Sequence, residues 1–298
     1  MYAVGLCFSD MILENDILTI EVSEKGAEMV NVLKQGRQVL WNANSDFWNR
    51  HAPILFPIVG RLREDKYRWG AHEYTMKQHG FARDGRFVPT GNRGELMLAE
   101  KPSCEVYPFD FDLAVRYELD GNQIKVIWSV INKCDETIWF QIGGHPGFML
   151  PAYDENDTVH GYFKLYDADG KLTRPLLLSI LEDGLRVPLS TSKTMLTEEL
   201  PITNGTFAQG ALLLEEHQVA AIELLDKNRC PVLRVDCPQA EAFGLWAPYK
   251  KGCSFVCIEP WCGIADSYNF TGDFSERKYV HGLAPYQTYE FKYSITIN

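Results

Sequence analysis

FDLAVRYELDGNQIKVIWSVIN, residues 111–132, decides the secondary-structure class of this chain. Apolar residues recur at every second position: Phe111, Leu113, Val115 and Tyr117 on one arm, Ile124, Val126, Trp128 and Val130 on the other. A period of two places them on one face of an extended strand, whereas a helix would need a period of 3.6. Between the arms, Asp120-Gly121 tolerates the positive φ that a tight primed turn demands, so the segment predicts a β-hairpin.

The same alternation continues in both directions. LTIEVS at 18–23 reads as a strand, and VNVLKQGRQVLW reads as a second hairpin with Gln35-Gly36 at its tip. Further strands are expected at 137–142, 161–166, 211–216, 220–225, 231–236, 254–259 and 287–297. Helical signal is confined to Thr191–Leu200, where Ser or Thr is available as a cap. Many strands joined by Gly, Pro, Asp and Asn turns predict an all-β protein, a large antiparallel sandwich. No compositional shift divides the chain, so residues 11–298 are expected to form a single domain after an irregular extension at 1–10.

With 298 residues, 46% of them hydrophobic and 23% charged, the chain has the balance of a globular protein able to bury a sizeable core. A formal charge of −11 and the scarcity of Lys/Arg clusters argue against a nucleic-acid partner. The opening MYAVGLCFSDMILEND has no basic leader and no apolar run of about 20 residues, so a cytoplasmic protein without a membrane partner is expected. The eight cysteines are scattered, which favours free thiols over a disulfide framework. Cys253, Cys257 and Cys262 lack the paired C-x-x-C knuckles of structural zinc, and no metal is expected there.

Chemistry gathers in three segments. In FQIGGHPGFML, 140–150, His145 follows an apolar run that should end near Gly143-Gly144, where glycines let the backbone turn sharply and approach a ligand. A half-buried histidine satisfied by a turn is the plainer use of such a residue. In CIEPWCGIAD, 257–266, Glu259 is placed at the end of the strand SFVCI and shares a face with Phe255 and Cys257, an unusual direction for a carboxylate without a partner. Trp261 offers a flat surface for the CH face of a sugar ring, although core packing is the commoner role of tryptophan. In the third segment, Arg61 and His79 sit at glycine-punctuated strand ends, suited to donate to hydroxyl or ring oxygens. Arg83 and Arg86 nearby offer guanidinium groups to a phosphate. No G-x-S-x-G elbow, phosphate loop, dinucleotide fingerprint or H-E-x-x-H helix is present.

Taken in order, VGR at 59–61, QHGFAR at 78–83, GGHPGF at 143–148 and IEPWCG at 258–263 resemble the aldose 1-epimerase (galactose mutarotase-like) superfamily over about Leu18 to Ile297. The resemblance implies a β-supersandwich with a sugar cleft on one sheet, and an isomerase of carbohydrate metabolism. Carried over by position, the general acid falls on His145 and the general base on Glu259, held on opposite sides of C1 and O5. Arg61 and His79 match sugar-binding residues, with Trp261 beside them. Arg83 is similar to the phosphate arginines of the hexose-6-phosphate branch.

The implied partner is a small sugar, free or phosphorylated; the implied chemistry requires no cofactor and no metal, and the assembly could be a homodimer. Gly210, in FAQGALLL, stands where family members commonly carry an aspartate, and GGHPGF lacks the tyrosine that often follows the proline. A non-catalytic sugar-binding sandwich is the competing reading, but binding alone has no need of an acid opposite a base.

Overall fold

The computed structural model describes residues 10–189 and 194–298. Among them the chain is built from strands, with single-turn 3-10 segments at Arg63–Asp65, Ala82–Asp84 and Phe274–Glu276 and no α-helix. The expected hairpin is present: strands Phe111–Asp120 and Gln123–Asn132 pair along their whole length. Its loop is Gly121-Asn122, one residue later than expected, and Gly121 carries the positive φ of 58°. At the second hairpin both tip residues, Gln35 and Gly36, take positive φ, as a primed turn requires.

Two antiparallel sheets make the body. The first has nine strands in the order Glu199–Ile202, Gly161–Tyr166, Ala221–Asp226, Pro231–Asp236, Thr288–Ile297, Gln123–Asn132, Phe111–Asp120, Glu95–Leu98 and Phe87–Pro89. The second runs Leu185–Pro188, Ser179–Glu182, Ala211–Glu215, Ala242–Trp246, Phe255–Cys262, Ile142–Gly144 and Ile54–Leu55, with Gly147–Met149 also paired to Phe255–Cys262. A main core cluster draws Val115, Val126 and Phe291 from the first sheet and Leu245, Val256 and Ile258 from the second, so the two lie face to face. A four-stranded sheet spanning Asp10–Gln38 adds Leu18, Ile20 and Val22 to the same cluster.

Alternation gives the second sheet an outer face as well. Leu55, Leu213, Ala242 and Trp261 form a small cluster there, and Trp41, Phe255 and Cys257 form another. The candidate cleft lies on this outer face, backed by the sheet.

Two expectations are corrected. Of the expected helix Thr191–Leu200, residues 191–193 lie outside those described, and the remainder is not helical but contains strand residues Thr194–Met195 and the start of Glu199–Ile202. The Gly161–Tyr166 edge offers Glu199–Ile202 a ladder partner, which overrides a weak capping signal. Glu259 does not end its strand either, because Phe255–Cys262 continues through Pro260 with every residue buried. Pro260 stands across from Gly144, where the pairing has already stopped at Gly143–Trp261, so its missing N–H breaks no ladder pair on that side. The expected extension at 1–10 lies outside the described residues except Asp10, which begins the strand Asp10–Glu14.

Candidate active site

Register brings the acid–base candidates together. Ile142 and Gly143 pair with Cys262 and Trp261, and Gly147, Phe148 and Met149 pair with Cys257, Val256 and Phe255. The same register holds on both sides of the gap at 145–146, which sets His145 directly across from Glu259. Cross-strand neighbours have Cβ atoms roughly 4.5–5.5 Å apart. The side chains close the rest of the distance, and His145 Nε2 lies 3.1 Å from Glu259 Oε2. The sequence reading held these groups on opposite sides of a sugar ring; the structure puts them side by side.

The interruption that frees His145 is held from outside. The N–H groups of His145 and Gly147 donate to the carbonyls of Pro53 and His51, at 3.2 and 2.9 Å. The loop supplying those carbonyls is fixed in turn by Glu28, whose Oε1 accepts from the N–H groups of His51 and Ala52. Trp48 stacks on the His145 ring at 4.8 Å, while Trp246 and His79 meet it edge-on at 5.7 and 5.5 Å.

These residues line a cleft of about 410 Å³ with Arg83, Trp261, Gln78, Asp183 and Gly210. Its size suits a small ligand. Trp261 is 1% exposed and therefore floors the cleft rather than standing open as a platform. Its ring is wedged between two glycines: a Cβ on Gly143 would lie 2.6 Å from the indole, and one on Gly244 2.8 Å. The first glycine of GGH thus makes room for a tryptophan more than a hundred residues away.

His79 sits in left-handed backbone, φ 66°, followed by Gly80 at φ 71°. Its N–H donates to the Gly60 carbonyl at 2.8 Å, and its Nδ1 accepts from the Gly60 N–H at 3.1 Å. That second bond fixes the tautomer, leaving the proton on Nε2, which faces the Gln78 side-chain amide at 3.3 Å. Arg83 also reaches the cleft wall. Its Nε is buried without a hydrogen-bond partner, and the Asp84 carboxylate stands 3.9 Å away.

Arg61 is directed elsewhere. Its guanidinium forks onto the Asp65 carboxylate at 2.8 and 3.0 Å and donates to the Asp183 carbonyl at 3.3 Å, so it braces the cleft rim rather than lining the cavity. Arg86 lies apart, 4.0 Å from Glu24.

Sequence reasoning missed Trp48, Gln78, Asp183 and Trp246. Asp183-Gly184 is the one that carried a usable signal, since both residues take positive φ between the paired strands Ser179–Glu182 and Leu185–Pro188. Gly210 cannot be replaced by an aspartate in this backbone: its φ is 108°, and a Cβ would lie 1.8 Å from the Leu181 carbonyl oxygen.

Burial governs the electrostatics. It pushes His145 down to about 3, with Arg83 and Arg50 adding to the effect. It lifts Glu259 well above the ordinary carboxyl range and lowers His79 well below the imidazole value. Burial thus favours the neutral form of each group, imidazole and carboxylic acid, with one proton to share between them. Arg83, pushed down to about 10 by burial and by Arg50, keeps its charge. His145 Nδ1 has no hydrogen-bond partner, and Glu259 Oε2 has none beyond the 3.1 Å approach of His145 Nε2, so the cleft presents polar atoms that a hydroxylated ligand would satisfy. His145, Cys257 and Glu259 also offer three ligand atoms within 4.8 Å of one another, and Glu241, Cys262 and His281 form a second such group. No helix among the described residues is long and apolar enough to cross a membrane.

Comparison with known proteins gives this geometry a family context. A family model described as aldose 1-epimerase matches residues 10–296. Protein LacX (plasmid) of Lactococcus lactis subsp. lactis is 28% identical over 301 residues, covering 96% of this chain and 98% of the relative. A solved galactose mutarotase related enzyme from Lactobacillus acidophilus is 31% identical with a TM-score of 0.87, covering 97% of both chains. A galactose mutarotase-like protein from Lactobacillus casei, 24% identical with a TM-score of 0.83, covers 97% of this chain and 100% of its own, and shares the fold.

Proposed function

The chain belongs to the aldose 1-epimerase family, and from that premise we propose that it interconverts the α and β anomers of an aldose, with the His145–Glu259 pair moving the protons. The observation that carries this reading is the 3.1 Å contact between imidazole and carboxyl inside a cleft of sugar size. Ring opening removes a proton from the C1 hydroxyl and adds one to the ring oxygen. Both oxygens are borne by C1, so an acid and a base that are neighbours on one wall suit the reaction better than groups on opposite walls.

In the direction the resemblance implies, Glu259 takes the hydroxyl proton while His145 protonates O5. The proton held by the pair at rest must first stand on the imidazole, and the short contact provides its path. Once the ring is open, rotation about C1–C2 presents the other face of the aldehyde, and reclosure reverses both transfers. The pair ends with the proton it began with. His79, neutral and donating from Nε2, is placed to hold a ring or hydroxyl oxygen, and Trp48 and Trp246 exclude water beside the imidazole.

Arg83 favours a second reading within the same chemistry. A charged guanidinium in the cleft wall, with its Nε lacking an acceptor, suits an aldose bearing an anionic group such as a 6-phosphate.

Anomer exchange of freshly dissolved aldoses, free and 6-phosphorylated, followed by polarimetry or NMR, tests both. Glu259→Gln and His145→Asn should each slow exchange by about 10²- to 10⁴-fold, the range typical of lost acid–base groups, with the fold retained. A wild-type protein that binds sugars without accelerating exchange would leave a sugar-binding module as the better reading. Arg83→Ala should reduce exchange of phosphorylated sugars alone if they are the substrates. Equal loss on free sugars would remove the phosphate assignment.

A further inference from the structure

On the opposite side of the strand that carries Glu259, a second group of side chains converges that the proton chemistry does not use. Glu241, Cys262 and His281 each present a ligand atom, all within 4.8 Å of one another. They arrive from three separate segments. Glu241 precedes the strand Ala242–Trp246 and is tied by its N–H to the Trp261 carbonyl at 2.9 Å. Cys262 ends the strand Phe255–Cys262, and His281 opens the strand His281–Leu283 opposite Phe140.

The atoms that face each other are poorly served by the protein. His281 Nε2 and Glu241 Oε2 stand 3.5 Å apart, both buried, and neither makes a hydrogen bond. The Cys262 thiol is 1% exposed and donates to the Gln239 carbonyl at 3.2 Å. Burial pushes that thiol up to about 12, so a thiolate would need a cation beside it to exist at neutral pH. Tyr289 faces the same space, its ring 5.0 Å from that of His281.

We infer that Glu241, Cys262 and His281 form a binding site for one borderline-soft divalent cation of the zinc class, which pins three strand ends behind the cleft floor. Carboxylate, thiolate and imidazole are the donor set such ions take, and three protein ligands leave the fourth tetrahedral position to water. Bond lengths of roughly 2.0–2.3 Å place tetrahedral ligand atoms about 3.3–3.7 Å apart. The His281–Glu241 spacing already lies in that range, and sulfur reaches it by closing about 1 Å. On binding, the thiol proton leaves to buffer, so affinity falls as pH falls.

Cobalt(II) supplies the test, because thiolate coordination to it gives a charge-transfer band. The full chain, with the thiols exposed among the described residues removed as Cys104→Ser and Cys230→Ser, is freed of metal by chelation and titrated with cobalt alone, then with zinc. The expected result is one equivalent bound, a thiolate-to-cobalt band, and displacement by zinc. Cys262→Ser should abolish the band, and His281→Ala or Glu241→Gln should weaken binding by about tenfold or more, since even groups behind the ligands cost that much.

A protein without the band overturns the inference, as does a band that survives Cys262→Ser. If Cys262→Ser fails to fold, as judged by circular dichroism, the other two variants decide. Unchanged cobalt affinity in both would reduce the cluster to a plain ion pair over an inert thiol.

Discussion

His145 and Glu259 are displaced from their ordinary titration ranges in opposite directions by the same burial, and that has consequences for pH. An isolated histidine titrates near 6.5, yet His145 stays neutral in the fold down to about 3. His145 therefore takes up no proton near 6.5, and the exchange rate should show no acidic limb there. A pH–rate profile with a midpoint there would place the imidazole in solvent rather than in this cleft.

Stability follows from linkage. Between 6.5 and about 3 the unfolded chain binds a proton that folded His145 does not, so acidification through that window removes stability; His145→Asn should flatten the loss. Glu259 behaves oppositely. Its contribution is present below its unfolded value of 4.5 and is lost as pH rises, so Glu259→Gln should melt above the wild type, by a margin larger at pH 8 than at pH 5. Thermal melts of both variants across that range check the signs.

Elements, more than residues, set the site's geometry, and the glycines show how. Gly143→Ala would place a methyl 2.6 Å from the Trp261 ring. Overpacking of that kind typically costs about 1–3 kcal/mol, and here the displaced ring is the cleft floor. The expected outcome is a lowered melting temperature with raised KM, read by calorimetry and steady-state exchange. Gly60→Ala should act on His79 instead, because its Cβ would lie 2.3 Å from that of Ala265 and its φ is 69°.

The sequence made the local half of this legible. Gln35-Gly36, the hairpin near Gly121 and the strand end at Gly144 all follow from turn chemistry and a period of two. Pairing between Ile142–Gly144 and Phe255–Cys262 was not readable from the residues, because strand register over such a separation leaves no mark in either segment. Trp48 and Trp246 escaped for a similar reason: each looks like a core aromatic until its neighbours are known. The Arg61 guanidinium is engaged by Asp65, four residues on, a contact that a reading of strand ends and glycines does not bring out.

For the molecule as a whole, buried polar knots secure the loops behind the cleft. Arg277 and Asp266, with side chains 1% and 4% exposed, meet at 2.6 Å. Asp266 also accepts from the Arg63 N–H, and its own N–H donates to the Arg61 carbonyl, so the rim segment depends on this pair. Arg277→Ala would strand a buried carboxylate, at a cost of about 3–5 kcal/mol. Chemical denaturation should show that loss as a lowered midpoint; a surface-like change of a few tenths would mean the pair is wet.

The sandwich was foreseeable from alternation alone, but which face would hold the cleft was not, since both faces of the second sheet are apolar. Three of the chain's seven tryptophans, at 48, 246 and 261, surround the cleft. The protein consequently carries its own optical reporter: a sugar entering between those indoles changes their polarity and quenching, and intrinsic emission can follow occupancy without any label.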